Sequence, residues 1–293
     1  MRLKNFDGIK FNEPMSLHTT FRAGGPADMF FEPENEEELS AVLAAAKDEG
    51  IDAVVIGNGS NLLVRDGGIR GIVVHLGKKM SKICTDGCFI TAESGAQMSA
   101  VAAAALEAEL GGLEFASGIP GSIGGGLYMN AGAYGGELSD VAVSARYIQD
   151  GEILTIEKKD MKLGYRRSIF AQEGGIITSV RLCLAPDKRE NILAKMQDFK
   201  QRRCDKQPLE FASAGSTFKR PEGHFAGALI EQAGLKGYGI GAAQVSEKHA
   251  GFIINRGGAS AAQILELIGY VQKKVYESSG VMLEPEVRII GEE

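Results

Sequence analysis

The sequence predicts an α+β protein in three units, about 1–78, 79–200 and 201–287, with the closing stretch 288–293 returning to the first. Three observations carry that reading. A β-α-β pattern occupies the first quarter of the chain. Paired runs of alternating apolar residues, joined by Asp86-Gly87 and Asp150-Gly151, mark hairpins in the middle. After Pro208 the composition changes, and the chain nears its end in a strongly amphipathic helix.

Taken in order, Gly24-Gly25-Pro26 is a turn before a short apolar strand that ends at Pro33. Glu36 to Glu49 places Leu39, Val42, Leu43 and Ala46 at helical spacing, with acidic residues in the first turn and Gly50 as the stop. Ala53 to Ile56 and Gly71 to Leu76 are short buried strands. A hairpin is expected over Lys82 to Ala92, and an alanine-rich helix over Gln97 to Leu110. Val141 to Gln149 and Glu152 to Ile156 form the second hairpin, and Ile176 to Leu184 alternates as a strand. Pro186 to Gln207 is a long charged helix whose basic run, Lys200, Arg202 and Arg203, reads as a solvated end. Ala226 to Ala233 is a helix, Phe252 to Ile254 a strand and Ala259 to Ser278 the amphipathic helix. Val281 to Ile290 closes the chain as a strand.

Composition narrows the function. The net charge is −6, so there is no basic footprint for nucleic acid. No apolar run reaches the ~18–20 residues of a membrane span, and the N-terminus lacks a signal-peptide core. A soluble, cytoplasmic protein is expected. Cys84 and Cys88 have no second pair and no interleaved histidine, so a zinc site is not expected. Glycine is the outlier, at 39 residues.

Two glycine-rich stretches stand out. Gly57-Asn-Gly-Ser-Asn-Leu-Leu-Val64 follows a strand of the β-α-β pattern, where phosphates bind in such layers. It matches neither G-x-G-x-x-G nor a Walker loop. Gly118 to Gly136 contains eight glycines interspersed with Ile119, Ile123, Leu127, Tyr128 and Met129, which need burial. A flexible linker would carry Ser, Thr and charge instead. Two such stretches in different units suit an elongated cofactor with a diphosphate, one holding phosphate and the other walling a planar ring.

With Gly57 to Val64, Gly118 to Gly132, His18-Thr-Thr-Phe-Arg-Ala-Gly-Gly25, Tyr165-Arg-Arg-Ser168, Gly215-Ser-Thr-Phe-Lys-Arg-Pro221 and Leu283-Glu-Pro-Glu-Val-Arg288, the chain resembles the UDP-N-acetylenolpyruvoylglucosamine reductase family. The likeness covers nearly the whole chain, and the short Ser168–Gly215 interval resembles the shorter subtype. It implies a two-part FAD-binding unit of vanillyl-alcohol-oxidase type plus a C-terminal α+β substrate-binding domain. It also implies FAD and NADPH as cofactors, the enolpyruvyl ether of UDP-N-acetylglucosamine as substrate, and UDP-N-acetylmuramate, a peptidoglycan precursor, as product. A monomer is expected.

By the same resemblance Ser216 is the proton donor, Arg166 the catalytic arginine and Glu286 the catalytic glutamate. A guanidinium fork fits a carboxylate that gains charge, and serine as an acid needs positive potential around it. A protonated Glu286 in a dry site could donate to the developing enolate. Implied for FAD are Arg22, Gly57, Asn58, Gly59, Ser60, Asn61, Leu62, Gly118, Gly121, Ser122, Gly124, Gly125, Asn130 and Gly132. Of these, Asn130 and Gly132 are expected at the flavin ring and Arg22 at the diphosphate. Tyr165, Lys206, Lys219, Arg220 and His249 are the substrate candidates. Arg220 departs from the longer subtype, which has Asn after the lysine, so phosphate is expected to be held by charge.

Plainer readings exist for each residue taken singly. Ser216 could cap a turn, Arg166 could form a surface ion pair, and Glu286 could be a solvated strand residue. Two other functions fit the same residues. One is an oxidase or dehydrogenase of the same flavin fold on another carbon acid, which oxygen-dependent flavin reoxidation would reveal. The other is a silent nucleotide-sugar-binding protein, which would give no NADPH oxidation.

Overall fold

The computed structural model describes residues 2–293, which divide into two compact units. The first comprises Phe30–Asn58 and Ile72–Arg203 with a short N-terminal piece; the second comprises Lys10–Met29, Gly59–Gly71 and Cys204–Glu293.

In the first unit the helix Glu36–Asp48 starts where Asn35 accepts a hydrogen bond from the Glu38 amide at 2.8 Å. Its Leu39, Val42, Ala45 and Ala46 are buried. Ala53–Ile56 runs parallel to the segment Ile72 to His75. Next comes a five-stranded antiparallel sheet in the order Glu152–Glu157, Ala142–Gln149, Ile176–Cys183, Phe89–Glu93, Ile83–Asp86. Both expected hairpins are therefore present. The helix Met98–Glu107 lays Val101, Ala102 and Ala105 into the same core as Ile90, Val180 and Leu182. Burial of this kind contributes roughly 25 cal/mol per Å² of apolar surface.

The glycine-dense stretch is not one open loop. Ile123–Tyr128 is a short helix, capped by Ser122 and packed on the strand Ile176–Cys183. A Cβ on Gly124 would lie 1.7 Å from Ser94 Oγ, and one on Gly126 would lie 2.8 Å from Met98 Sδ. Part of the glycine density is therefore demanded by helix–sheet packing.

In the second unit the helix Ala261–Ser279 begins with a Ser260–Gln263 capping box and ends at Gly280, φ 72°. Ile264, Leu267, Ile268, Val271 and Val275 face its core. The Asp66 carboxylate accepts from the amides of Ala261 and Ala262, both at 2.8 Å, where the positive end of the helix favours an anion. A three-stranded sheet, Gly239–Ile240, Ala243–Val245 and Ile253–Asn255, packs on this helix.

The last strand is shorter than expected. Only Arg288–Ile290 is strand, parallel to Leu62–Val64. The chain ahead of it contains Pro285, which has no amide hydrogen to donate to a ladder. It pairs locally instead: Lys219 N donates to Glu284 O, and Glu286 N donates to Thr217 O, both at 2.8 Å.

Candidate functional site

In the first unit the two glycine stretches meet through side-chain amides. Asn58 Nδ2 donates to the Pro120 carbonyl at 3.4 Å, and Gln97 Nε2 donates to Asn58 Oδ1 at 3.0 Å. Gly57 and Ser122 are in such close register that a Cβ on Gly57 would fall 2.4 Å from Ser122 Oγ. Gly121, Ser122 and Gly124 are buried, whereas Gly118 and Gly125 are exposed. Gly125 would carry a Cβ in open space apart from Ser122 Oγ at 3.4 Å.

An elongated, doubly charged cofactor fits this donor set. Bare backbone is exposed at Gly118 and Gly125, amide side chains lie alongside, and residues 118–136 contain no acid. Gly132 has a different task. A Cβ there would strike the Gly136 carbonyl oxygen at 2.6 Å, so the small hairpin Gly132–Ala133 with Gly136–Glu137 requires glycine.

Asn130, expected beside the flavin ring, has both ends of its carboxamide hydrogen-bonded to protein. It is fully buried, with Nδ2 donating to the Gly164 carbonyl at 3.1 Å and Oδ1 accepting from the Ser139 amide at 2.8 Å. Its carboxamide is committed to protein rather than to a ligand. Gly164 opens the turn carrying Tyr165 and Arg166, closed by reciprocal Gly164–Arg167 backbone hydrogen bonds of 3.0 Å. Tyr165 is exposed, and the Arg166 guanidinium lies 5.0 Å from its ring centroid.

The other site candidates belong to the second unit. Ser216 is exposed and follows Gly215, whose φ of 77° favours glycine. Thr217, next to it, is 1% exposed and pinned three ways. Its amide donates to Gly251 O at 2.9 Å, its carbonyl accepts from Glu286 N at 2.8 Å, and its Oγ1 accepts from Ile253 N at 3.0 Å. That backbone pairing brings the Ser216 and Glu286 segments together.

Asn61 ties into the same place. Among the residues expected on FAD, it donates from Nδ2 to the Glu286 carbonyl at 3.1 Å, and its own carbonyl accepts from Arg288 N at 3.0 Å. Gly59 is buried, with its absent side chain replaced by the His18 carbonyl oxygen 2.0 Å from the Cβ position. Ser60 and Leu62 are half-buried beside it. Arg22 is exposed with φ 53°, and its carbonyl accepts from Asn255 Nδ2 at 3.4 Å.

Among the substrate candidates, Lys219 is in an ion pair with Glu284, so its charge is not available alone. The Arg220 guanidinium stacks over Phe225 at 4.1 Å. Lys206 ends the helix Arg189–Lys206. His249 Nδ1 accepts from the Gly251 amide at 3.1 Å, and its ring meets Phe252 edge-on at 5.0 Å. Burial pushes the imidazole below its ordinary pKa, and the charge of Lys236 acts the same way. A neutral ring accepting at Nδ1 carries its proton on Nε2.

Sequence reasoning missed Thr217 and the bracing role of Ser168. Ser168 is fully buried, donates to the Tyr128 carbonyl at 2.6 Å and caps the helix Ile169–Glu173. A serine directly before Ile-Phe-Ala-Gln-Glu was the available signal.

Fold and donor set together define an FAD-binding flavoprotein with a separate C-terminal domain. An FAD binding domain family model matches residues 27–157, and a model described as UDP-N-acetylenolpyruvoylglucosamine reductase, C-terminal domain, matches residues 207–290. The expected FAD-binding unit followed by a C-terminal domain is thereby borne out. UDP-N-acetylenolpyruvoylglucosamine reductase of Agathobacter rectalis is 52% identical, over 97% of this chain and 95% of its own. That of Clostridioides difficile is 50% identical, over 98% and 95%. The crystal structure of the Thermus caldophilus reductase superposes with a TM-score of 0.81 at 34% identity, covering 96% of this chain and 97% of that one. The chain belongs to the UDP-N-acetylenolpyruvoylglucosamine reductase family.

Proposed function

We propose that the chain reduces the enolpyruvyl ether of UDP-N-acetylglucosamine to the lactyl ether, giving UDP-N-acetylmuramate, with NADPH as reductant and FAD as resident cofactor. The observation that carries this is the end-to-end likeness to reductases of that name, 52% identical over 97% of the chain. Bound FAD supplies a two-electron relay between NADPH and the methylene carbon of the substrate. Exposed backbone at Gly118 and Gly125, with Gly57, Asn58 and Ser122, would hold its diphosphate.

The chain's own residues handle the charge and the proton. Hydride arriving at the methylene carbon leaves an electron pair on the adjacent carbon and its carboxylate. Arg166 offers two parallel N–H donors to that carboxylate. Ser216 gives its hydroxyl proton to the adjacent carbon, completing addition of one hydride and one proton across the double bond. Glu286, fixed by its backbone bond to Thr217, is the third member, acting on the same developing enolate. Arg220, Lys206 and the Nε2–H of neutral His249 are proposed for the UDP diphosphate. Lys219 is proposed there only with Glu284 beside it. Tyr165, exposed next to Arg166, is proposed as a substrate contact. The enzyme would work as a monomer in the cytoplasm, where NADPH is regenerated.

The direct test is purification and anaerobic stopped-flow. A yellow protein whose flavin is bleached by NADPH and restored by the enolpyruvyl substrate is the expected result. Protein that takes up no FAD, or whose reduced flavin is restored only by oxygen, would overturn the reading.

A further inference from the structure

Arg166 does not sit on a helix or strand but at the tip of a two-residue turn, in left-handed backbone at φ 53°. Left-handed backbone is costly for a non-glycine residue, and contacts around the turn must offset that cost. Besides the two Gly164–Arg167 backbone bonds, two side chains brace the turn here. Ser168, just past the turn, hydrogen-bonds to Tyr128 O at 2.6 Å and to Ala171 N at 3.2 Å. Asn130, on the near side, donates to Gly164 O at 3.1 Å. The Gly164 carbonyl thus accepts twice, from Asn130 and from the Arg167 amide that closes the turn.

Position 130 makes three demands. Its backbone is left-handed, φ 44°, which Asn, Asp and Gly tolerate best. Its side chain must accept from the Ser139 amide and, from its other branch, donate to Gly164 O. It must do this while 0% exposed, where a missing partner leaves a buried polar group unsatisfied. Ionised aspartate accepts but cannot donate, and glycine satisfies the backbone alone. Asparagine meets all three.

We propose that Asn130 is a positioning residue for the reduction, holding the Gly164–Arg167 turn so that the Arg166 guanidinium is aimed at the substrate carboxylate. The proposal rests on the role given to Arg166 above. It gives the glycine-dense stretch a second duty: the segment proposed to bind the cofactor also braces the turn that carries the arginine.

The test is Asn130→Gly, which keeps the backbone and removes both side-chain bonds. In the FAD-loaded enzyme, flavin reduction by NADPH should stay within about threefold, while reoxidation by substrate slows about ten- to a hundredfold, the usual penalty for a misaimed catalytic group. In the FAD-free protein, amide hydrogen exchange in a peptide spanning 161–170 should become faster. Asn130→Asp should recover its second half-reaction as pH falls, because the protonated acid regains an O–H donor for Gly164 O. In an Arg166→Ala background Asn130→Gly should add no further slowing.

Substrate-driven reoxidation within about twofold of the parent, or equal slowing of both half-reactions, would overturn the positioning role, as would unchanged exchange over 161–170. A normal second half-reaction in Arg166→Ala would overturn the role of the arginine itself. A slowed Arg166→Ala beside a normal Asn130→Gly would overturn only the positioning role.

Discussion

The two units hold their share of the proposed chemistry by different means. In the first, Arg166 rides a short turn closed by the two Gly164–Arg167 backbone bonds and anchored to the rest of its unit by two side chains, Asn130 and Ser168. In the second, the Ser216 and Glu286 segments are held by main-chain bonds through Thr217, with Asn61 and the Thr217 hydroxyl in support. A side-chain brace can be removed by one substitution, whereas a main-chain ladder cannot. The arginine should therefore be the tunable end of the machinery and the serine–glutamate pair the rigid end.

The largest effect should come from Ser216→Ala. The hydroxyl lies on an exposed residue, so stability should change by less than about 0.5 kcal/mol. Substrate-dependent reoxidation should fall about 10²–10⁴-fold, with NADPH-driven reduction unaltered, as seen in single-turnover stopped-flow. Equal loss in both half-reactions would make Ser216 a structural residue and remove the rigid end from the comparison.

Arg166→Lys should come next. An ammonium keeps the charge but lacks the fork, so the second half-reaction should slow by about tenfold or more. Full turnover in this variant would mean that positive charge alone suffices at the tunable end.

Much of this architecture was legible before any coordinates, and the reason is local. The helices at 36–48, 98–107 and 261–279 and both hairpins follow from periodicity, caps and Asp-Gly turns, all carried by neighbours in sequence. The glycine density singled out a proposed cofactor-binding region, but it could not say which glycines serve packing. Gly124 answers to Ser94 and Gly126 to Met98, both far off in sequence. The protein partners of the asparagines were not legible for the same reason. An amide side chain advertises a hydrogen bond without naming its partner, and for Asn61 and Asn130 the partners are the backbone of residues 286 and 164. The strand expected from Val281 failed at Pro285, where the pairing became a local bridge to Phe218.

Thr217→Val probes the main-chain clamp more gently. The valine keeps the shape but removes the acceptor for the Ile253 amide at a position 1% exposed. Leaving that donor unpaired should cost about 1–3 kcal/mol, read by urea denaturation, and Thr217→Ser should restore most of it. If reoxidation slowed with no change in stability, the clamp would be less rigid than its backbone bonds imply.

The smallest effect concerns His249, near the same clamp through Gly251. Burial holds its folded-state pKa below the ordinary 6.5. As pH falls through that ordinary value the unfolded chain takes up a proton that the folded ring resists, so the unfolded state gains and stability declines. Above it both states are neutral and the contribution is constant. Thermal melts between pH 5 and 8, the span in which a histidine of ordinary pKa titrates, should show Tm dropping on the acid side, and His249→Gln should flatten that slope. A parent Tm that rises on acidification would mean that the ring is stabilised as the cation. His249 would then meet the UDP diphosphate as a charge rather than as the neutral N–H donor proposed here.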